Sequence, residues 1–147
     1  MTGSIVGVDV SAPMLQLARE RAEAAGTTNL EFIQADASAY ASINNVDLIF
    51  SRTGVMFFSD PVAAFANLRR TLRPGGRLAF VCFRDRELNS RWTVPLAAAA
   101  SVVVVEPLIP PRQPGPFALA EESYLALVSF RLPAALERSR RRGRQRR

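Results

Sequence analysis

The sequence contains no histidine, and it has a single cysteine, Cys82. Without histidine, the chain cannot use a Ser-His hydrolytic pair or a histidine-ligated metal. One cysteine excludes an internal disulfide and a thiolate zinc cluster, and it fits a reducing compartment, so we expect a cytoplasmic protein. The longest apolar run, Val94 to Val105, is too short for a bilayer, which takes roughly 20 residues. We therefore expect no metal site and no membrane segment.

Lysine is also missing, and the positive charge is concentrated at one end. The formal net charge is +6, yet Arg138 to Arg147 alone contain seven arginines and no acid. The rest of the chain is nearly neutral and, in a sequence that is 48% hydrophobic, can form one ordinary domain. We expect this domain over residues 1–130 and a disordered Arg-rich tail over 131–147. Only this tail suggests nucleic-acid binding, and it has no interleaved aromatic residues to stack on bases, so we expect no nucleic-acid partner.

Strand and helix patterns alternate in the first half of the chain. Such alternation is typical of an α/β fold with right-handed crossovers and a mainly parallel sheet with flanking helices. The third strand is apolar throughout its middle, which predicts cover on both faces. The four predicted strands are Ser4–Val8, Leu30–Gln34, Val46–Ser51 and Arg77–Phe83.

Two helices are predicted between these strands. Ser11 can cap the first helix and Gly26 can end it, and Asp60 followed by Pro61 begins the second. We expect the first to bury Met14, Ala18, Ala22 and Ala25, and the second to bury Phe65, Leu68 and Leu72 before the turn "RPGG". Beyond Arg84 the pattern is weaker: Trp92–Val105 suits a helix or a strand, and a short helix is expected near Leu119–Val128.

Acidic residues follow two of the predicted strands. Asp9 follows the first strand and Asp36 follows the second, in "QADAS". Ligands of open parallel sheets bind at the carboxyl ends of the strands, and a carboxylate there can accept hydrogen bonds from the two hydroxyls of a ribose. Asp9 could instead only help to start the next helix as a local cap. The residues alone leave both interpretations open.

The motifs "IVGVDVS", "APMLQLAR", "FIQADAS", "VDLIFSRTGVMFFSD" and "LRPGG" occur in an order that resembles one family. This is the class I S-adenosylmethionine-dependent methyltransferases, of the small-molecule type similar to the ubiquinone and menaquinone biosynthesis methyltransferases. The resemblance covers residues 4–92 best. It implies an incomplete Rossmann-like methyltransferase fold, S-adenosylmethionine as the cofactor and a small-molecule acceptor.

The resemblance also implies roles for particular residues. Asp9 would bind the ribose of the cofactor, and Asp36, with Ala37 beside it, would hold the adenine amino group. Ser51 would lie under the methionine part. Methyl transfer needs mainly the alignment of donor and acceptor, so no catalytic residue can be assigned from the sequence. Arg52 suits an anionic acceptor about as well as it suits a solvent-facing position.

The resemblance exposes an absence as well. The first strand of the family ends in a Gly-rich loop, whereas this sequence starts inside what would be the second strand. The absent strand would lie between those of Asp9 and Ser51, and its loss would leave backbone groups unpaired or force the two strands together. We therefore expect a truncated gene product whose methyl transfer is impaired. The alternatives are a non-catalytic methyltransferase fragment and a basic-tailed binding module.

Three further features have a structural and a functional interpretation. The apolar cluster from Val55 to Phe58 is expected to be core rather than an acceptor pocket. Cys82 is expected to be a buried, inert thiol. Trp92 could cover the active site or anchor the helix that follows it.

Overall fold

The computed structural model describes residues 3–41, 45–104, 109–110 and 112–129. Strands and helices alternate in them, which confirms the α/β prediction. The Arg-rich tail predicted over residues 131–147 lies outside the described residues. The elements are β1 (Ile5–Asp9), α1 (Ala12–Ala24), β2 (Leu30–Gln34), β3 (Val46–Arg52), α2 (Pro61–Thr71), β4 (Leu72–Val81), α3 (Ser90–Ala100) and α4 (Glu122–Ser129).

The four strands form two parallel pairs. β1 pairs with β2, from Ile5 opposite Leu30 to Asp9 opposite Gln34. β3 pairs with β4 and ends with Arg52 opposite Val81. No ladder joins the two pairs within the described part of the chain, so each strand there has a single partner. The strands of Asp9 and Ser51 are thus not forced together, and each keeps one unpaired edge.

Helix α1 begins and ends where the sequence indicated. Ser11 is its N-cap and accepts a hydrogen bond from the backbone N–H of Met14, and Gly26 follows the helix with a left-handed φ of 64°. Two of the four residues predicted to be buried, Met14 and Ala25, are exposed, and Leu15 is buried instead. Leu15 lies on one helical face with Ala18 and Ala22, which are half-buried.

Helix α2 contributes most of the helical surface in the core. Asp60 caps it by accepting a hydrogen bond from the N–H of Ala63 at 2.9 Å, and Phe65 and Leu68 are buried as predicted. Leu72 was wrongly placed in this helix, because the chain leaves it after Thr71 and enters β4.

The turn "RPGG" forms an irregular start of β4 rather than a separate connection. Val46 pairs with Leu72 and Leu48 pairs with Arg77, so extra residues of β4 bulge out between these two pairs. A Cβ at Gly76 would lie 2.9 Å from the carbonyl oxygen of Val46, closer than real Cβ atoms come. Glycine is therefore required there for the two backbones to pair.

The core lies between the β3–β4 pair, helix α2 and the chain that precedes α4. Its fully buried members include Val55 and Met56, which confirms a core role for the start of the "VMFF" cluster, although Phe57 is 54% exposed. Cys82 is half-buried and packs against the same core. The remaining buried residues of this cluster are Phe65, Ala118 and Leu119.

The expectation that β3 is covered on both faces was wrong. Leu48 and Phe50 point to one face and are 47% and 66% exposed, and Val81 on the same face of β4 is 53% exposed. Ile49, on the opposite face, is half-buried. The apolar sequence of β3 suits a two-sided sheet, but only the face toward α2 is packed in the described residues.

The region after β4 is helical. The ambiguous segment Trp92–Val105 forms α3 over Ser90–Ala100, and Val102 beyond it is 82% exposed. Trp92 packs edge-on against Phe83 and Phe117, with ring centroids 6.1 and 5.6 Å away. These contacts favour the interpretation of Trp92 as an anchor for α3.

Candidate functional site

The candidate site is built at the carboxyl ends of parallel strands, where backbone groups are free to turn toward a ligand. The register of β1 and β2 sets Asp9 level with Gln34, so Asp36 lies two residues further along the neighbouring strand. The N–H of Ala35 donates to the carbonyl of Asp9 at 3.0 Å and extends this register past the strand ends. Asp9 and Asp36 therefore share one edge of the sheet.

Asp9 is exposed and makes a local hydrogen bond. Its Oδ1 accepts the backbone N–H of Ser11 at 2.8 Å, two residues on, just before α1. Asp9 thus does act as a local cap before α1, as one of the two interpretations expected. It does not exclude a ligand role, because a carboxylate has about four acceptor positions and this bond uses one of them.

Asp36 has the same local arrangement at the end of β2. Its Oδ1 accepts the backbone N–H of Ser38 at 2.8 Å, and its carbonyl accepts N–H groups of Ala39 and Tyr40. Hydrogen bonds from the side chain and backbone of Ser38 hold the pKa of the Asp36 carboxyl below its ordinary value. Asp36 is therefore anionic at neutral pH, and Ala37 lies half-buried inside the same turn.

A buried amide holds this turn against the other half of the molecule. Asn67 of α2 is 7% exposed, and its Nδ2 donates to the carbonyl oxygen of Tyr40 at 3.0 Å. The bond joins the turn of Asp36 to the helix that packs on β4. Asn67 was not predicted from the sequence, although it lies three residues after the buried Ala64 and hence on the apolar stripe of α2, where a polar residue needs a partner.

Ser51 lies on the second strand pair. Ser51 was predicted as the last residue of its strand, but β3 continues to Arg52, so Ser51 is inside β3 and opposite Phe80. No ladder joins it to the edge that carries Asp9 and Asp36 within the described residues. The structure therefore brings two of the predicted polar site residues together and leaves Ser51 on a separate pair.

The turn after β3 places backbone close to the Ser51 hydroxyl. A Cβ at Gly54 would lie 3.1 Å from Ser51 Oγ, which is tighter than most real Cβ contacts. Gly54 is exposed and its backbone lies close over that hydroxyl, so we call Gly54 and Ser51 together the Gly54 cradle. Gly54 was not predicted as a site residue; the sequence signal for it is a glycine within three residues of the end of an apolar strand.

These residues fit the cofactor that the resemblance implies, in two separate parts. Asp9 and Asp36 are acceptors of the kind that a nucleoside with ribose hydroxyls and an amino group requires. Gly54 is exposed and has no side chain, so a chain of atoms could approach its backbone closely beside the Ser51 hydroxyl. No group of three His, Cys, Asp or Glu residues in the described part of the chain could hold a metal ion. None of its helices is long and apolar enough to cross a bilayer.

Comparisons with known proteins point to one family. The family described as "Methyltransferase domain" matches residues 1–80. A trans-aconitate 2-methyltransferase of Azoarcus sp. (strain BH72) is 36% identical over 107 residues, which are 67% of this chain and 40% of that protein. A demethylmenaquinone methyltransferase of Thermus thermophilus is 39% identical over 80 residues, 54% of this chain and 36% of that protein. The chain thus spans well under half the length of these relatives.

Solved structures also match part of this chain. The PH0226 protein from Pyrococcus horikoshii OT3 aligns with a TM-score of 0.54 and 29% identity, over 66% of this chain and 44% of that one. A SAM-dependent methyltransferase from Aquifex aeolicus aligns with a TM-score of 0.52 over 73% of this chain and 62% of that one. At 24% identity, the second likeness supports the fold alone.

Proposed function

The chain belongs to the methyltransferase domain family, and on that premise we propose that it transfers a methyl group from S-adenosylmethionine to a small-molecule acceptor. In this proposal Asp9 accepts hydrogen bonds from the ribose hydroxyls. Asp36, with Ala37 beside it, holds the adenine amino group. Ser51 and Gly54 lie along the methionine part.

The observation that supports this proposal most strongly is the pairing of the two acids. Asp9 and Asp36 end neighbouring parallel strands, and each carboxylate accepts the backbone N–H two residues on, from Ser11 and Ser38. Each side chain is therefore oriented by its own turn before a ligand arrives. Two oriented carboxylates on one sheet edge suit a nucleoside better than they suit two independent helix starts, since among the described residues only α1 directly follows one of them.

S-adenosylmethionine supplies an activated methyl group when it is bound. The task of the protein is then to hold donor and acceptor in line, an orientation that can lower a barrier by roughly 7 to 11 kcal/mol. The residues named above act on the donor only.

We further propose an acceptor with a carboxylate. Arg52 ends β3 directly beside this turn and is exposed. The two ion pairs of the described residues, Asp47 with Arg73 and Glu121 with Arg112, do not involve it. The relative from Azoarcus is named for trans-aconitate, an acceptor that carries carboxylates. A guanidinium forms paired hydrogen bonds with such a group.

Titration calorimetry of the full chain tests the donor. We expect binding of S-adenosylmethionine and S-adenosylhomocysteine, no binding of NAD, and a clear loss of affinity in Asp36→Ala. Glu31→Ala is the matched control, since Glu31 is an exposed acid on β2, the strand that Asp36 follows, and lies away from its carboxyl end. Binding of NAD in preference to S-adenosylmethionine, or equal effects of the two substitutions, would contradict the proposal.

Transfer of a labelled methyl group to trans-aconitate tests the acceptor. We expect Arg52→Ala to raise the KM for trans-aconitate about fivefold, the effect of one exposed charge-assisted contact, and to leave donor affinity unchanged. Arg69→Ala, an exposed arginine on α2, is the control. Transfer that is insensitive to Arg52 would argue against an anionic acceptor and leave the donor site unaffected.

A further inference from the structure

Thr53 has a backbone conformation that its residue type disfavours. Its φ is 61°, in the left-handed region, at the point where the chain leaves β3. Asparagine and glycine enter this region with little cost, but a β-branched residue there is a genuine outlier. Such outliers persist only where the surrounding structure enforces them, and they are concentrated at functional sites.

The surroundings of Thr53 do enforce this conformation. Its N–H donates to the carbonyl of Val81 at 2.8 Å and extends the β3–β4 ladder by one bond, and its Oγ1 donates to the carbonyl of Arg52 at 2.7 Å. On the other side, Val55 and Met56 are buried in the core within three residues. The chain must therefore turn sharply between a fixed strand and a fixed core segment.

The neighbouring glycine does not relieve the turn. Gly54 has a φ of −93°, which any residue can adopt, so it is not needed for backbone freedom. Its small size matters instead, because a Cβ there would meet Ser51 Oγ at 3.1 Å. The residue with the unfavourable conformation is Thr53. Because the chain turns there, the Gly54 backbone lies over the Ser51 hydroxyl.

Two other non-glycine residues have positive φ in the part of the chain that the structure describes, and neither lies at this edge. Asn45, with a φ of 62°, precedes β3 at the amino end of the strand, and asparagine tolerates the conformation. Arg112, with a φ of 67°, is held by an ion pair to Glu121 and by its position over the ring of Tyr124. The strained β-branched residue is thus the one at the carboxyl end of β3.

We infer that Thr53 is a positioning residue for the methyl donor: its strained turn fixes the Gly54 backbone and the Ser51 hydroxyl against the methionine part. This inference rests on the proposed function. Replacing Thr53 by glycine would remove the strain and also put two glycines in succession. The cradle would then be free to move, so stability and donor affinity should change in opposite directions.

The test compares Thr53→Gly with the wild type in the full chain. We expect Thr53→Gly to raise the melting temperature by about 2 to 6 °C, since it relieves a left-handed β-branched residue. We expect it to weaken S-adenosylmethionine binding roughly fivefold, as backbone freedom at the cradle increases. Binding of adenosine, which lacks the methionine part, should stay unchanged because Asp9 and Asp36 are intact. Thr53→Ser, which keeps the hydroxyl, should restore most of the donor affinity.

Asn45→Gly is the matched control, since it places glycine at a left-handed position on the opposite end of β3. It should leave the affinities for both ligands unchanged. If Thr53→Gly lowers the melting temperature, or weakens adenosine as much as S-adenosylmethionine, the positioning role is refuted. If the wild type binds both ligands and Thr53→Gly alters neither affinity, the positioning role alone fails. If the wild type binds neither ligand, the proposed function fails and the role of Thr53 fails with it.

Discussion

Replacing Asp9 by asparagine separates its two roles. The asparagine side chain keeps an oxygen that can accept the N–H of Ser11, which Asp9 Oδ1 now accepts at 2.8 Å. Its other terminal atom is an NH₂ group, a donor that cannot accept a hydrogen bond from a ribose hydroxyl. The substitution therefore leaves the start of α1 intact and removes one ligand contact.

The expected size of the effect follows from that single contact. A hydrogen bond to a charged group contributes about 1.5 to 3 kcal/mol, so Asp9→Asn should weaken S-adenosylmethionine binding roughly 10- to 100-fold. The free energy of unfolding should change by less than about 0.5 kcal/mol, because Asp9 is exposed and its local bond is kept. Calorimetry and urea unfolding on the same samples measure the two quantities.

Glu20→Gln is the control for loss of one negative charge. Glu20 is exposed on α1, and its Oε1 accepts a hydrogen bond from Gln16, which a glutamine can also accept. The affinity of the Glu20→Gln variant for S-adenosylmethionine should remain within about twofold of that of the wild type. The reasoning is refuted if Asp9→Asn binds as tightly as the wild type, or if Glu20→Gln weakens binding to the same extent.

Three more predictions concern the turn of Asp36 and the core. Asn67→Ala leaves the Tyr40 carbonyl without its buried donor and should cost about 1 to 2 kcal/mol of unfolding free energy in urea titration. Because hydrogen bonds from Ser38 lower the pKa of Asp36, their stabilisation is complete above the ordinary value of about 3.9 and is lost as the pH falls below it. Carbon-detected NMR titration should show a midpoint below that of an unfolded peptide, and an equal midpoint would contradict this. Burial raises the pKa of the Cys82 thiol, so its alkylation at pH 8 should be much slower in the folded chain than in urea.

The local features of the fold were predictable from the sequence because their causes are local. Ser11, Asp60 and Gly26 act within one helical turn, and strand β2 was predicted with its observed bounds, Leu30–Gln34. The acids Asp9 and Asp36 could be placed at strand ends for the same reason. Each of these features depends on residues fewer than five positions away in the sequence.

The predictions failed where segments far away in the sequence determine a residue's exposure, hydrogen-bond partner or backbone conformation. The exposure of Leu48 and Phe50 depends on what covers the second face of β3, which the apolar pattern of β3 cannot reveal. The role of Asn67 depends on the Tyr40 carbonyl, 27 residues away. The left-handed turn at Thr53 results from the fixed positions of Val81 and the core, and no local sequence signal marks a threonine for that conformation.

The uneven distribution of the core has a consequence for how tightly a ligand can be held. Of the eight buried apolar side chains among the described residues, only Leu15 belongs to the unit of β1, α1 and β2 that carries Asp9 and Asp36. Segments with so few buried contacts open locally at low free energy. A nucleoside bound there must select the closed form, and its observed affinity is reduced by the fraction of molecules in which that unit is open. Hydrogen exchange should therefore slow on ligand addition in β1 and β2 far more than in β3 and β4. The bound nucleoside would then stabilise the folded form of the unit that binds it.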